Sequence, residues 1–317
     1  MNESIKYILI FLFFSCSFNN ENDKPNHYEF ITKNKIFFGE ISKSTSGKFI
    51  ELSNGFTYYE LANKNNSGPV LVLIHGFSVP SYIWEPTYQK AKNLGYKVLR
   101  FDLFGRGYSE NLDTDYTDEL FASQSWELMD SLSINKSVLI GLSNGGRVIS
   151  KMAQIDPERV EKLVYVSSNG FDDLTEKKDK TVSQNEIRNY INNYESISKG
   201  QKNDFKNPDQ FKDWDIKYSE LQKYKGFAKA LISTLKNHVS LDSIHTELAK
   251  TNIDIYTLWG EYDTVVNYDK FEDKLNKMIP NRQEFFFKSA AHLPQMESPK
   301  EFNAVLFDYI LDSTDKK

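Results

Sequence analysis

The sequence predicts an α/β fold in which a doubly wound, mostly parallel sheet is covered by helices on both faces. The main observation is that short apolar runs alternate along the chain with amphipathic stretches long enough for helices. This alternation is typical of parallel sheets, whose strands are joined by helical crossovers. The length of 317 residues fits one large domain with an insertion.

The predicted elements begin with a β-hairpin that would form an antiparallel edge. Its strands cover residues 49–53 and 56–61, and the Asn54-Gly55 dipeptide suits a type I′ turn. Further strands are predicted at 70–74, 97–101, 137–140, 162–167, 253–259 and 283–287. Helices are predicted at about 83–94, 118–132, 145–155, 268–278 and 299–311.

The pentapeptide Gly141-Leu142-Ser143-Asn144-Gly145 has the pattern of a nucleophile elbow. It joins a predicted strand to a predicted helix, so the chain must reverse direction within one or two residues. Glycines at both ends let strand and helix approach each other without a Cβ clash. The helix N-terminus favours the negative charge that develops during acyl transfer. A plain turn without chemistry is the alternative interpretation of the pentapeptide alone.

Three further segments occur in a fixed order around this serine. They are His75-Gly76-Phe77-Ser78 after the strand at 70–74, Gly260-Glu261-Tyr262-Asp263 after the strand at 253–259, and Ala291-His292-Leu293-Pro294 before the last predicted helix. With the elbow, these motifs resemble the α/β-hydrolase family over roughly residues 48–312, in the family's order of serine, acid and histidine. The resemblance implies an eight-stranded sheet with an inserted helical cap.

The resemblance also implies a catalytic triad of Ser143, Asp263 and His292. The backbone N–H groups of Phe77 and Asn144 would form the oxyanion hole, where each donor is worth about 3–4 kcal/mol. The motifs place three apolar residues beside the serine as candidates for the substrate pocket, namely Leu142, Phe171 and Leu293. This chemistry requires no cofactor.

Two parts of the triad have rivals in the sequence. Asp172 follows the strand at 162–167, where some relatives carry their acid, but Asp263 is preferred. His75 belongs to the oxyanion loop, where the family uses the ring structurally, and His27 lies in the N-terminal tail. His238 and His245 fall within the inserted region, so a substrate-pocket or surface role is expected for them.

The composition changes between about residues 170 and 250, where polar residues dominate and scattered aromatics interrupt them. The resemblance implies that this stretch is a helical cap over the active site. Its aromatics would line an acyl or aryl pocket or pack between cap and core. The predicted division is a signal peptide at 1–15, a lipidated tether and N-terminal extension at 16–47, core at 48–169, cap at 170–250, and core again at 251–317.

The N-terminus indicates export. Residues 7–14 form an apolar run that is too short to span a bilayer, and Ser15-Cys16-Ser17 follows it. This pattern resembles a bacterial lipoprotein cleavage site, which predicts lipidation at Cys16 and membrane association of the exported protein. An ordinary secretory signal, which would make the protein secreted or periplasmic, and an uncleaved anchor are the alternatives.

Composition and motif spacing exclude several classes of function. The net charge is −5 and there is no basic stripe, so nucleic-acid binding is not expected. The histidines and the single cysteine lack zinc-ligand spacing, and Gly105 and Gly107 do not fit a dinucleotide site, so neither a metal nor a cofactor is predicted. The resemblance implies that this glycine segment is a structural turn beneath the active site.

The predicted function is hydrolysis of a small-molecule carboxylic ester with a lipophilic or small acyl group, such as a monoacylglycerol. One alternative is a carbon–carbon bond hydrolase of the same fold, which also uses serine, histidine and aspartate. These enzymes usually have a glycine-rich oxyanion loop and a tryptophan after the histidine, whereas Leu293 stands in that place here. A noncatalytic binding protein on this fold is the second alternative.

Overall fold

A central sheet organises the chain, and the computed structural model describes residues 30–174 and 179–311. The sheet has eight strands in the order β1-β2-β4-β3-β5-β6-β7-β8. The strands are β1 (Lys48–Leu52), β2 (Gly55–Ala62), β3 (Val70–Ile74), β4 (Lys97–Phe101), β5 (Ser137–Leu142), β6 (Val160–Val166), β7 (Asp254–Gly260) and β8 (Gln283–Phe287). β1 and β2 are antiparallel to their neighbours, and all other pairs are parallel. The predicted sheet is therefore confirmed.

The α-helices alternate with the strands and then dominate the inserted region. They are α1 (Lys35–Ser44), α2 (Glu85–Asn93), α3 (Asp118–Ser131), α4 (Asn144–Ile155), α5 (Gln184–Asn192), α6 (Tyr194–Gly200), α7 (Trp214–Leu221), α8 (Phe227–Asn237), α9 (Asp242–Leu248), α10 (Glu272–Met278), α11 (Pro294–Glu297) and α12 (Pro299–Ala304). The helix predicted at 299–311 is split, because a π-helical segment, Val305–Ile310, follows α12.

The two faces of the sheet bury two separate hydrophobic clusters. On β3, Val72 and Ile74 point into one cluster while Leu71 and Leu73 point into the other, as the period of two in a strand requires. The first cluster contains side chains of α3, α4, α9 and α10, and the second contains side chains of α2, α12 and the cap helices α6 to α8. Burial on both faces explains why the β3 sequence is apolar throughout.

The hairpin turn differs from the prediction by one residue. Leu52 pairs with Gly55, so the two loop residues are Ser53 and Asn54. A type I′ turn needs positive φ at both loop residues, but the positive φ of 155° belongs to Gly55. The Glu127 carboxylate accepts hydrogen bonds from the Ser53 N–H at 2.6 Å and from its hydroxyl at 2.7 Å, which holds Ser53 in the loop.

The predicted boundary of the cap also needs correction. Helix α9 lies within the stretch 170–250, yet Ile244 and Leu248 belong to the cluster on the α4 face of the sheet. His245 on the same helix is fully buried, and its Nε2 lies 2.9 Å from the Ser150 hydroxyl of α4. The apolar face of α9 therefore packs against the core, and the cap over the active site ends before it.

The N-terminal extension packs on the domain from Ile31 onward. The Ile31 N–H donates to the Lys223 carbonyl at 2.8 Å, and the Lys225 N–H donates to the Ile31 carbonyl at 2.9 Å. The buried Lys33 ammonium donates to the Ser109 carbonyl at 2.7 Å. These contacts hold the extension against the cap and against the loop after β4.

No helix within residues 30–174 and 179–311 is long and apolar enough to cross a membrane. The predicted signal peptide and the lipidation site at Cys16 lie outside the described residues.

Candidate active site

Ser143 occupies a strained turn between β5 and α4. Its backbone has φ 50° and ψ −116°, a conformation that costs a non-glycine residue about 1–3 kcal/mol. A Cβ on Gly141 would lie 2.4 Å from the Gly145 carbonyl oxygen, and one on Gly145 would lie 2.4 Å from the Ile74 carbonyl oxygen. Both positions therefore require glycine, as the elbow pattern predicted. Strain of this kind is typical of functional sites.

His292 and Asp263 form a buried pair. The distance from His292 Nδ1 to Asp263 Oδ2 is 2.8 Å. The other carboxylate oxygen, Oδ1, accepts the N–H groups of Val265 and Val266, both at 2.8 Å. The carboxylate is thus fixed by its own loop and in turn fixes the ring, which leaves the second ring nitrogen, Nε2, for chemistry.

Asp172, the rival acid, lies elsewhere. The Lys274 ammonium donates to the Asp172 carbonyl at 3.4 Å and pairs with the neighbouring Asp173 carboxylate at 2.7 Å. Burial raises the pKa of the Asp172 carboxyl, and the nearby charge of Arg147 opposes this shift. The structure brings Asp263, not Asp172, to His292.

Two further carboxylates, which the sequence motifs did not indicate, lie near the imidazole. The backbone N–H of His292 donates to the backbone carbonyl of Asp204, in the cap, at 3.0 Å. The Glu297 carboxylate accepts the Ala291 N–H at 2.7 Å and the Lys206 N–H at 2.7 Å, so it ties the histidine loop to the cap. The contacts between the cap and the histidine loop join segments about 90 residues apart, so the sequence carries no signal for them.

These charges set the protonation of the site. Burial lowers the pKa of His292, but the negative charges of Asp263, Asp204 and Glu297 outweigh burial and raise it above its ordinary value. Burial also raises the pKa of the Asp204 carboxyl to about 6; the charge of His292 opposes this rise, and the charge of Asp263 adds to it. The site therefore favours a positive charge on His292.

The oxyanion loop lies directly against the elbow, since a Cβ on Gly76 would be 3.4 Å from the Ser143 Cβ. His75 is fully buried, its Nδ1 donates to the Gly76 carbonyl at 2.9 Å, and its Nε2 accepts the Leu103 N–H at 2.9 Å. Burial lowers the pKa of His75 to about 3, so the ring is neutral. The ring fixes the peptide that carries the Phe77 N–H, in keeping with its expected structural role.

The two proposed oxyanion donors are free to bind a ligand. Within the described part of the chain, neither the Phe77 N–H nor the Asn144 N–H donates to another group. Asn144 is the first residue of α4, where backbone N–H groups lack partners within the helix. Its side-chain Oδ1 accepts a hydrogen bond from Nε2 of His238 at 2.7 Å, so the cap also reaches the elbow.

The predicted pocket residues separate into two groups. Leu142 and Leu293 are buried in the same cluster as the cap aromatics Phe205, Trp214 and Tyr218. Phe171 belongs to the other cluster. Its ring lies 4.7 Å from that of His245 and 5.3 Å from that of Tyr165. The prediction of Phe171 as a pocket residue is therefore corrected, because its ring fills the core between β6 and α9.

Cap and core together cover the site. Ser143 is 7% exposed, and Asp263 and His292 are each 5% exposed. Within residues 30–174 and 179–311, no group of three His, Cys, Asp or Glu side chains is placed to hold a metal ion.

The fold agrees with comparisons to known proteins. Residues 69–251, more than half of the chain, match the family described by the alpha/beta hydrolase fold, and the chain belongs to this family. Lipase 3 from Moraxella sp. (strain TA144) is 26% identical, and the alignment covers 91% of this chain and 92% of that protein. The matches support a hydrolase with relatives among esterases and lipases.

Solved structures show the same fold at lower sequence identity. An esterase from Exiguobacterium antarcticum has a TM-score of 0.68 and 21% identity, covering 83% of this chain and 99% of its own. The meta-cleavage product hydrolase CumD from Pseudomonas fluorescens IP01 has a TM-score of 0.67 and 20% identity, covering 84% and 98%. At these identities the likeness establishes the architecture alone.

Proposed function

We propose that the protein is a serine hydrolase that cleaves carboxylic esters through an acyl-enzyme. The observation that carries the proposal is the buried His292–Asp263 pair. The strained elbow that holds Ser143 supports it. A pairing of this kind holds the imidazole in one tautomer and stabilises its cation. Ser143 would be the nucleophile.

In the first step, His292 Nε2 accepts the Ser143 hydroxyl proton while Oγ attacks the ester carbonyl carbon. The imidazolium then gives this proton to the alcohol as the C–O bond breaks, and Ser143 keeps the acyl group as an ester. A water molecule then attacks this ester while His292 accepts its proton. The imidazolium returns the proton to Ser143 Oγ as the acyl C–O bond breaks, and the carboxylic acid leaves. Asp263 accepts a hydrogen bond from the Nδ1–H of His292 throughout and stays ionised.

The oxyanion formed in both steps would lie between the N–H groups of Phe77 and Asn144. Their lack of other partners supports this role, because preorganised donors need no rearrangement when the negative charge develops. The low exposure of the site strengthens these interactions, since little water competes for the charge.

The proposed substrates are neutral esters with a lipophilic or small acyl group, such as monoacylglycerols. Buried Leu142 and Leu293, in one cluster with cap aromatics, support an apolar acyl site. The lipase and esterase relatives agree with this class. Each methylene that the site accommodates should improve transition-state binding by roughly 1–3 kcal/mol.

A series of p-nitrophenyl esters tests the substrate class. We expect kcat/KM to rise from the acetate to a short or medium acyl chain and then to fall. A carbon–carbon bond hydrolase of the same fold is the second candidate, because such enzymes also use serine, histidine and aspartate. Rapid cleavage of vinylogous diketone ring-fission products, with negligible turnover of every ester, would favour that candidate. Failure to turn over either class would favour a noncatalytic binding protein.

Lipidation at Cys16 and anchoring of the exported protein to a membrane form a separate proposal, which rests on the sequence alone. Each buried methylene of an attached acyl chain contributes about 0.8 kcal/mol of membrane affinity. Metabolic labelling with a fatty acid in a bacterial host should mark the wild type and miss Cys16→Ser. Equal labelling of both would contradict this proposal.

A further inference from the structure

Arg106 is a fully buried arginine in the loop after β4. Its Nε donates to the Phe77 carbonyl at 2.9 Å, Nη1 to the Phe104 carbonyl at 3.2 Å, and Nη2 to the Thr234 hydroxyl at 2.8 Å. All three acceptors are neutral oxygens. The guanidinium therefore carries a buried positive charge beside the oxyanion loop.

Other buried arginines of the protein are held differently. Arg147 is paired with the Asp118 carboxylate at 2.7 Å, and Arg100 with the Glu60 carboxylate at 2.9 Å. Within the described part of the chain, no carboxylate lies within ion-pair distance of Arg106. Burial lowers the pKa of Arg106 to about 10, which still leaves the group charged at neutral pH. A buried cation without an anion is costly, and here the rings of Phe77, Tyr116 and Phe121, 5.0–5.7 Å from the guanidinium, offset part of that cost. A developing oxyanion would offset more of it.

The hydrogen bond to Phe77 fixes the orientation of an oxyanion donor. The peptide on the N-terminal side of Phe77 carries its N–H and is held by His75 through the Gly76 carbonyl. The peptide on the C-terminal side begins with the Phe77 carbonyl and is held by Arg106. Because both flanking peptides are fixed, the backbone rotation of Phe77 is restricted and its N–H keeps one direction.

Arg106 also connects this loop to the cap. Thr234 lies on α8, and its hydroxyl accepts from Arg106 while donating to the Ala230 carbonyl at 2.8 Å. The loop and α8 are in close contact, since a Cβ on Gly105 would lie 2.6 Å from the Ala230 Cβ. One side chain thus joins the oxyanion loop, the loop after β4 and a cap helix.

We propose that Arg106 is a positioning residue of the oxyanion hole: it orients the Phe77 N–H, provides a positive charge that the oxyanion compensates, and couples both to the cap through Thr234. The proposal rests on the serine hydrolase function proposed above. The charge matters most when the oxyanion is present, so the loss of Arg106 affects kcat more than KM.

The test compares Arg106→Gln with Arg100→Gln, a matched variant in which the buried arginine that is removed pairs with Glu60 and Glu85 rather than with the oxyanion loop. Steady-state turnover of a p-nitrophenyl ester gives kcat and KM, and a fluorophosphonate probe gives the rate of serine modification. For Arg106→Gln we expect kcat and the labelling rate to fall about 100-fold, near the lower end of the cost of deleting an oxyanion donor. KM should change less than threefold. Arg100→Gln should keep the wild-type kcat per folded molecule.

Two milder variants separate position from charge. Arg106→Lys keeps the charge and loses the fork of donors, and it should lose about tenfold in kcat. Thr234→Val removes the hydroxyl that joins Arg106 to the cap, together with its hydrogen bond to the Ala230 carbonyl, and should lose about fivefold in kcat. Neither variant should move the acid limb of the pH profile, because that limb belongs to His292. If Arg106→Gln does not fold, these two variants decide the question.

A folded Arg106→Gln with kcat within threefold of the wild type would overturn the inference, as would a loss confined to KM or a loss equal to that of Arg100→Gln. If Arg106→Gln does not fold, wild-type kcat in both Arg106→Lys and Thr234→Val would overturn it. A wild-type protein that neither turns over esters nor reacts with the probe would instead contradict the proposed function. The two failures are therefore distinguishable.

Discussion

Two regions meet at Ser143, and their side chains are held in different ways. We call them the sheet wall, formed by the loops after β5, β7 and β8, and the cap wall, formed by the inserted region before α9. On the sheet side, contacts are local: Asp263 binds the N–H groups of Val265 and Val266 in its own loop. On the cap side, contacts are distant: His238 reaches Asn144 across 94 residues. Loops at strand ends therefore fix the candidate catalytic side chains, whereas the insertion adds cover and one further negative charge, that of Asp204.

This comparison predicts a hierarchy of effects. Changes on the sheet wall alter the proposed reacting groups or the residues that support the elbow. They should therefore lower kcat by orders of magnitude or lower the free energy of unfolding by kilocalories per mole. Changes on the cap wall leave the reacting groups in place. They should shift the pH dependence of kcat/KM, or lower kcat by the small factor that corresponds to one hydrogen bond.

The largest effect is expected for Asp263→Asn. The amide cannot stabilise the imidazolium and favours the wrong tautomer, so kcat should fall about 10⁴-fold. Asp172→Asn is the matched control and should remain close to the wild type, because Asp172 lies beside Lys274 rather than His292. The kcat of both variants is measured by ester turnover. A severe loss of turnover in Asp172→Asn, with activity retained in Asp263→Asn, would mean that the acid of the triad is Asp172, after β6.

The elbow should be intolerant of added volume. In Gly145→Ala, the new Cβ meets the backbone carbonyl oxygens of Ile74 and His75 at 2.4 and 2.7 Å. The free energy of unfolding should fall by about 1–3 kcal/mol. Gly39→Ala in α1 is the control, since nothing lies within 4 Å of its Cβ, and it should stabilise by about 0.5–1 kcal/mol. Denaturant unfolding measures both, and equal effects would contradict the account of the elbow.

A moderate effect is expected for Asp204→Asn on the cap wall. His292 must be neutral to accept a proton, so activity is lost as the pH falls through its raised pKa. Removing one of the carboxylates that raise this pKa should move the acid limb of kcat/KM to lower pH, by about 0.5–1 unit. The Asp204 charge is fully present only above its own pKa of about 6, so the difference should grow above that pH.

The control for this experiment is Asp209→Asn, which removes an exposed carboxylate a little further along the cap segment. Its pH profile should match that of the wild type. An unchanged acid limb in Asp204→Asn, or the same shift in both variants, would contradict the electrostatic role of Asp204.

The smallest effect is expected for His238→Ala. The variant removes the hydrogen bond to Asn144 but leaves the Asn144 backbone N–H in place. A loss of about threefold to tenfold in kcat corresponds to one hydrogen bond. His238→Gln retains a donor and should recover most of this loss in the same assay. A loss of several orders of magnitude would mean that the cap supplies a reacting group.

The same division explains what the sequence could predict. The elbow and the histidine loop follow strands, so their spacing along the chain already implies their geometry. Asp263 was favoured over Asp172 by resemblance. In the structure the reason is sheet order, because β7 neighbours β8 and the loops after these two strands meet.

What the sequence could not predict depends on tertiary contacts. Asp204 reaches His292 only after the cap has folded onto the core. Phe171 was assigned to the pocket from its position after β6, but α9 covers it. The hairpin turn was misplaced because Ser53 binds Glu127 of α3, a contact that the dipeptide Asn54-Gly55 does not reveal.

The most direct test of the central claim is to locate the nucleophile. A fluorophosphonate probe is incubated with the wild type and with Ser143→Ala, and the modified peptide is identified by mass spectrometry. We expect one adduct per molecule, on Ser143, and no adduct in Ser143→Ala. The free energy of unfolding of this variant should lie within about 0.5 kcal/mol of that of the wild type. An adduct on another residue, or equal labelling of the two proteins, would contradict the central claim.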